Sequence, residues 1–180
     1  MTTFPLIERL KELKQDEKRG PGAMATLRRA LSEDQADILR AYEYIGYLLP
    51  QKDIQIQDDY LLVAALFATH PLYEETEKNW NNLGTHLAEL RRRKQQQNEA
   101  TDSLDKRFSS LVAASREELP YHLRAVMRFL KDAAIPVHWE MLLWDVQKWE
   151  REDADPTKST VQRRWANAYW QTPKTESDSN

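Results

Sequence analysis

An all-α fold, arranged as two small antiparallel bundles joined by a loop, is predicted by three observations. Apolar residues recur every three to four positions through most of the chain, the spacing of one helix face. Only four glycines occur in 180 residues, too few for a sheet protein built on tight turns, while prolines and short polar clusters punctuate the periodic stretches. No run alternates apolar and polar residues as a half-buried strand would, and no internal repeat or heptad array is present.

Leu6, Ile7, Leu10 and Leu13 mark a first amphipathic helix, stopped by "RGPG" at 19–22. Met24, Leu27 and Leu31 form the short apolar stripe of a second helix. Arg29, roughly 200° round from Leu27, points away from that stripe. Ser32 with Gln35 reads as a capping box opening a third helix, with Ile38, Tyr42, Ile45 and Leu49 on one face and Pro50 as its stop. "DDYLLVAALFATHP" is a mostly apolar central helix that Pro71 ends.

Residues 72–82 read as an irregular loop, followed by a helix on Leu83, Leu87 and Leu90. "QQQNEATDS" at 95–103 is polar and aperiodic, hence a long loop or frayed helix end. Leu104, Phe108 and Leu111 set the next helix. Leu119, Leu123, Val126 and Leu130 set another, with Pro120 in its first turn. "AAIPVHW" interrupts the chain before a strongly amphipathic helix on Trp139, Leu142, Leu143, Val146 and Trp149. Asp155-Pro156 breaks it again, and Val161, Trp165, Ala168 and Tyr169 define the last helix. The expected organisation is an N-terminal bundle over 1–82, a C-terminal bundle over 83–170, and a disordered tail over 171–180, the boundary falling within 72–103.

The absence of cysteine excludes disulfides and thiolate metal sites. The longest apolar run, Tyr60 to Ala68, is too short to cross a bilayer, and the first ten residues show no secretory signal. A soluble cytoplasmic protein is expected. His70, His86, His122 and His138 fall in no metal-binding frame and read as surface or core-edge residues; no metal and no cofactor are expected. Asp58-Asp59 and Glu74-Glu75 are sequence neighbours, which on a helix diverge, whereas a catalytic carboxylate pair converges. They read as helix-start charge or solvated loop. No phosphate loop or nucleophile elbow is present, and Gly84 reads as a turn or a close helix contact. Trp139, Trp149 and Trp165 lie on core stripes; Trp80 and Trp170 fit none and suggest a binding or subunit surface. No enzyme is indicated.

The net charge of -3 hides alternating blocks. Residues 32–79 carry three cations and ten anions, whereas residues 89–131 carry ten cations and six anions. Basic features stand at Arg28-Arg29, Arg91–Lys94, Lys106-Arg107, Arg163-Arg164 and the row Arg124, Arg128 and Lys131. Any one alone is explained by a solvated helix face. The row is different: its members stand at i, i+4 and i+7 and repel one another by about a few tenths of a kcal/mol per pair. Acids from another helix or a phosphate backbone would offset that. Arginine at two of three positions suits forked contacts that fix position on a strand without reading bases.

Six segments carry a resemblance through their order and spacing: "ATLRRAL" at 25–31, "NLGTHLAEL" at 82–90, "KRFSSLVAA" at 106–114, "HLRAVMRFL" at 122–130, "VHWEMLLWDVQKWE" at 137–150 and "VQRRWANAYW" at 161–170. From about residue 6 to 170 the chain resembles the CasB family, the small subunit of the type I-E CRISPR surveillance complex, Cascade. The resemblance implies an all-α, non-catalytic protein with two small bundles. It implies two copies packed head to tail between the CRISPR RNA-bound backbone subunits and the large subunit. It also implies a role in holding opened target DNA, supporting the guide–target hybrid and giving the displaced strand a basic track. Arg29 in "LRRAL" and Arg128 in "MRFL" fall where the family places basic groups for nucleic acid. Arg28, Arg107, Arg124 and Lys131 extend that set from the basic faces. The 91–103 segment is longer and more polar than the family pattern, so Arg91 to Lys94 receive no contact. Two readings stand: a nucleic-acid-holding subunit, and a structural adaptor whose basic row pairs with neighbouring protein.

Overall fold

A computed structural model describes residues 4–32, 34–51, 53–74, 80–150 and 159–171. Among them are nine α-helices, one short 3-10 turn and no strand. The first helix, α1 (Pro5–Gln15), starts on proline, which has no amide to leave unsatisfied, and buries Leu6, Ile7, Leu10 and Leu13. The chain reverses where Asp16 Oδ1 accepts from the amides of Lys18 and Arg19, both at 2.9 Å. Gly20 opens α2 (Gly20–Arg29), which buries Ala23, Met24 and Leu27.

In α3 (Gln35–Ile45) the expected capping box is absent. Asp34 is the cap, accepting from the Ala36 amide at 2.8 Å, while Ser32 donates to the Asp37 carboxylate at 3.0 Å. A carboxylate is a stronger acceptor than a hydroxyl at the positive end of a helix, so Asp34 takes the position. Tyr42 is exposed, not buried with Ile45; Ala41 takes the inward position. The larger ring reaches out to donate its hydroxyl to Gln57 at 3.0 Å.

The central helix α4 (Ile54–Thr69), capped by Asp53, buries every residue from Val63 to Ala68. A helix apolar on all sides needs neighbours all round. It packs on α1 and α2 from the N-terminal half, and on α7 (Leu119–Asp132) and α8 (Trp139–Lys148) from the C-terminal half. Further packing joins α5 (Leu83–Gln96) to α7 and α9 (Val161–Trp170), and α6 (Asp102–Val112) to α7 and α9. Buried residues from both halves form one contiguous cluster.

Gln95 and Gln96 belong to α5, and only 97–101 are non-helical, so the polar run is shorter as a loop than its composition suggests. Polar glutamines are good helix formers when the helix beneath them is anchored by Leu83, Leu87 and Leu90. Trp139, Trp149 and Trp165 are fully buried, as their stripes require. Each indole N–H finds an acceptor: Leu72 O at 2.8 Å, Ala114 O at 3.1 Å and Asp145 Oδ2 at 2.6 Å. The expected break at Asp155-Pro156 and most of the expected tail lie outside the described residues.

Candidate functional site

Contacts bring three of the six basic residues singled out from the sequence, Arg28, Arg124 and Lys131, to the place where the ends of α2 and α4 approach α7. Within α7, Arg124, Arg128 and Lys131 share one side, as their spacing requires. Arg124 reaches across to the Leu31 carbonyl, two residues beyond Arg29. From α6, the Arg107 guanidinium stands 5.6 Å from the Phe129 ring, which lies about 100° round α7 from Arg128 and so off the side that carries the row. Arg28 donates from Nε and Nη2 to the Ala68 carbonyl at 3.3 and 3.0 Å; burial first, and Lys131 nearby in addition, disfavour protonation of His70.

These residues divide by what already occupies them. Arg28 and Arg124 are engaged by backbone carbonyls of the same chain, fastening α2 to α4 and α7 to the turn after α2. Arg107 stacks on an aromatic face and remains exposed. Arg29, Arg128 and Lys131 are exposed and make no hydrogen bond or ion pair among the described residues. Arg29 and Lys131 also lie in the last turns of their helices, where a cation is favoured by the helix dipole.

The four consecutive cations of α5 behave otherwise. Arg91 pairs with Asp105 at 2.9 Å, Arg92 and Arg93 share Glu89, and Lys94 meets Glu99. Three carboxylates thus offset four cations there, whereas the exposed cations of the α7 row make no ion pair among the described residues, not even with Asp132, four residues on from Arg128.

Two acid–base pairs escaped sequence reasoning. Asp59 is not a helix-start or loop charge: it is buried against the Arg116 guanidinium, which also donates to the Val146 carbonyl. Asp145, fully buried, accepts from Arg164 at 2.7 Å and from the Trp165 indole. Burial raises its pKa, with both donors opposing. The only trace of either in the sequence was an acid inside an otherwise apolar helical stretch. The first pair joins elements 57 residues apart and the second joins α8 to α9, and neither presents a carboxylate pair to solvent.

The histidines are more deeply placed than expected; His70, His86 and His138 are buried and hydrogen-bonded. The His138 side chain caps α8, accepting from the Met141 amide at 3.2 Å, and its own amide donates to His86 Nε2 at 3.1 Å. Burial lowers the His86 pKa to about 4, with Glu74 opposing and His138 adding to the depression. The folded state therefore declines a proton that the unfolded chain takes up below about 6.5. Stability should fall as pH drops from about 6.5 to about 4, by about 3 kcal/mol from His86. Urea midpoints of the parent and His86→Gln across that range check this: the variant should show a shallower acid loss, and equal slopes would contradict it. Among the described residues, no group of three or more His, Asp or Glu is placed to hold a metal, and no helix is long and apolar enough to cross a membrane.

Fold and surface define a class: a helix-only scaffold with a tryptophan-rich core that presents cations on helix faces. The family model for the CRISPR-associated protein Cse2 matches residues 23–170, and the chain belongs to that family. CasB from Thermus thermophilus is 25% identical and superposes with a TM-score of 0.70, covering 92% of this chain and 96% of that one. CasB from M. ruber, also 25% identical, gives a TM-score of 0.68 with 92% of each chain covered. A chain of a CRISPR RNA-guided surveillance complex shares the fold at 22% identity, with a TM-score of 0.69 over 92% of this chain and 89% of that one. Among curated proteins none matches the sequence.

Proposed function

We propose that the chain is the non-catalytic small subunit of a type I-E CRISPR surveillance complex, Cascade, and holds nucleic-acid backbone without reading its sequence. In this reading it sits with a second copy between the CRISPR RNA-bound backbone subunits and the large subunit. There it supports the guide–target hybrid and the displaced DNA strand. The observation that carries it is the state of Arg29, Arg128 and Lys131: exposed, cationic and unpaired within the described residues. Exchanging a DNA duplex for an RNA–DNA hybrid is nearly balanced in energy, so a few phosphate contacts tip it. Arg107 and the α7 row extend the same track, while Arg28 and Arg124 hold the elements that carry it.

The adaptor reading, in which the basic row pairs with a neighbouring protein, competes for the same exposed cations. One experiment separates the two. In the assembled, RNA-loaded complex, Arg29→Ala with Arg128→Ala should weaken target-DNA binding by about tenfold or more, at unchanged subunit composition. Loss of the subunit from the complex before any DNA is added would support the adaptor and overturn the nucleic-acid role.

A further inference from the structure

The face built by α3, the 3-10 turn Gly46–Leu48 and the start of α4 is the opposite of the α7 row in charge and polarity. Four large apolar side chains stand in solvent there: Leu39 at 57% exposure, Tyr42 at 36%, Tyr47 at 72% and Ile54 at 75%. Helical spacing and two contacts link them. Leu39 and Tyr42 are three apart on α3, and the Tyr42 ring lies against Gly46, the residue before Tyr47. The Tyr42 hydroxyl bonds to Gln57, which donates in turn to the Pro50 carbonyl at 2.7 Å and lies three residues from Ile54. That bridge fixes α3 against the first turn of α4.

Single exposed apolar residues need no explanation, but four joined on one rigid face mark a contact surface. The surrounding charge narrows the occupant. Glu43, four residues on from Leu39 in α3, and Asp58, four on from Ile54 in α4, are exposed beside these side chains. Arg40, an exposed cation on α3, is already paired with Asp37 at 2.9 Å. Phosphate is repelled by such a rim, so nucleic acid does not fit. A second copy meeting through the same patch would set carboxylates against carboxylates. A second copy meeting through its α7 row would cover the cations assigned above to phosphate.

The geometry points to this acid-rimmed apolar face as the docking site for a different protein, one presenting an apolar ridge flanked by lysine or arginine. Within the proposed reading, on which this inference rests, that protein is another subunit of the RNA-guided complex. The molecule then has two working sides, one for phosphate and one for protein. Tyr47 and Ile54 anchor the second, being the most exposed and the least favourable to leave in water.

Tyr47→Ser with Ile54→Ser tests this without touching the core. The binding of purified variant to the RNA-loaded complex lacking this subunit is titrated, and the isolated chain is sedimented in parallel. About tenfold weaker binding, with an unchanged sedimentation coefficient, is expected. Glu43→Lys should weaken binding about twofold to fivefold further at low salt, through poorer charge complementarity. Unchanged binding of the double variant would overturn the proposal. So would self-association of the parent chain that the double variant abolishes, since the occupant would then be a second copy. In either case the Arg29/Arg128 experiment is unaffected, because it is read at full subunit occupancy.

Discussion

Replacing Arg116 with methionine should destabilise the fold by about 3–5 kcal/mol. The guanidinium lies in the turn between α6 and α7, only 14% exposed, and faces the Asp59 carboxylate of α4, itself 5% exposed. It also donates to the Val146 carbonyl near the end of α8 and, at 3.5 Å, to the Trp149 carbonyl. One side chain therefore ties the α6–α7 turn and the end of α8 to the central helix. Methionine fills much of the volume but takes the Arg116 counter-charge from a buried carboxylate, whose desolvation is then less well offset. Asp59→Leu combined with Arg116→Met should recover most of the loss, because removing both charges removes that desolvation as well. Urea unfolding of the two single variants and the double variant measures the coupling. A loss under about 1 kcal/mol for Arg116→Met would show that the pair is not what joins α4 to the C-terminal half.

Gly84→Ala should also destabilise the fold, by about 2 kcal/mol net. A Cβ at Gly84 would stand 2.3 Å from the Trp165 carbonyl oxygen and 2.8 Å from its Cα, and both are backbone atoms of the packed helix α9. No rotamer change relieves that clash; α5 and α9 must separate, loosening the Trp149–Trp165 pair, whose ring centroids are 5.1 Å apart. Overpacking of this kind costs about 3 kcal/mol, outweighing the gain of about 1 kcal/mol that alanine brings to a helix interior. The sign is the test. Gly22→Ala, also within a helix but with nothing within 4 Å of its Cβ, should be neutral to stabilising by about 0.5–1 kcal/mol. Equal effects at the two glycines would contradict the close approach.

What the sequence made legible was whatever is periodic. Leu6, Ile7, Leu10 and Leu13, or Trp139, Leu142, Leu143 and Val146, announce a helix and its buried face together, because burial acts on every turn. The row Arg124, Arg128 and Lys131 was legible for the same reason. Its division into engaged and unoccupied cations was not, since Leu31 O and Ala68 O are far away in the chain and a carbonyl leaves no mark in sequence. Asp59 was misread and Arg116, 57 residues away, went unread, because each makes sense only beside the other. Ser32 with Gln35 had the form of a cap, yet Asp34 stood nearer the helix with a better acceptor. The apolar patch was hidden by the same pattern that revealed the core, for Tyr42 keeps helical spacing with Ile38 and Ile45 while facing outward.

The proposal that unoccupied cations on α2 and α7 rest on phosphates is tested most directly by ionic strength. Target-DNA affinity of the assembled complex, plotted as log Kobs against log salt concentration, gives a slope set by the number of phosphates neutralised. The Arg29→Ala/Arg128→Ala complex should show a slope shallower by about 1.4–1.8, at about 0.7–0.9 for each phosphate left without its arginine. A slope equal to that of the parent complex, with the subunit fully retained, would mean that these two arginines touch no phosphate.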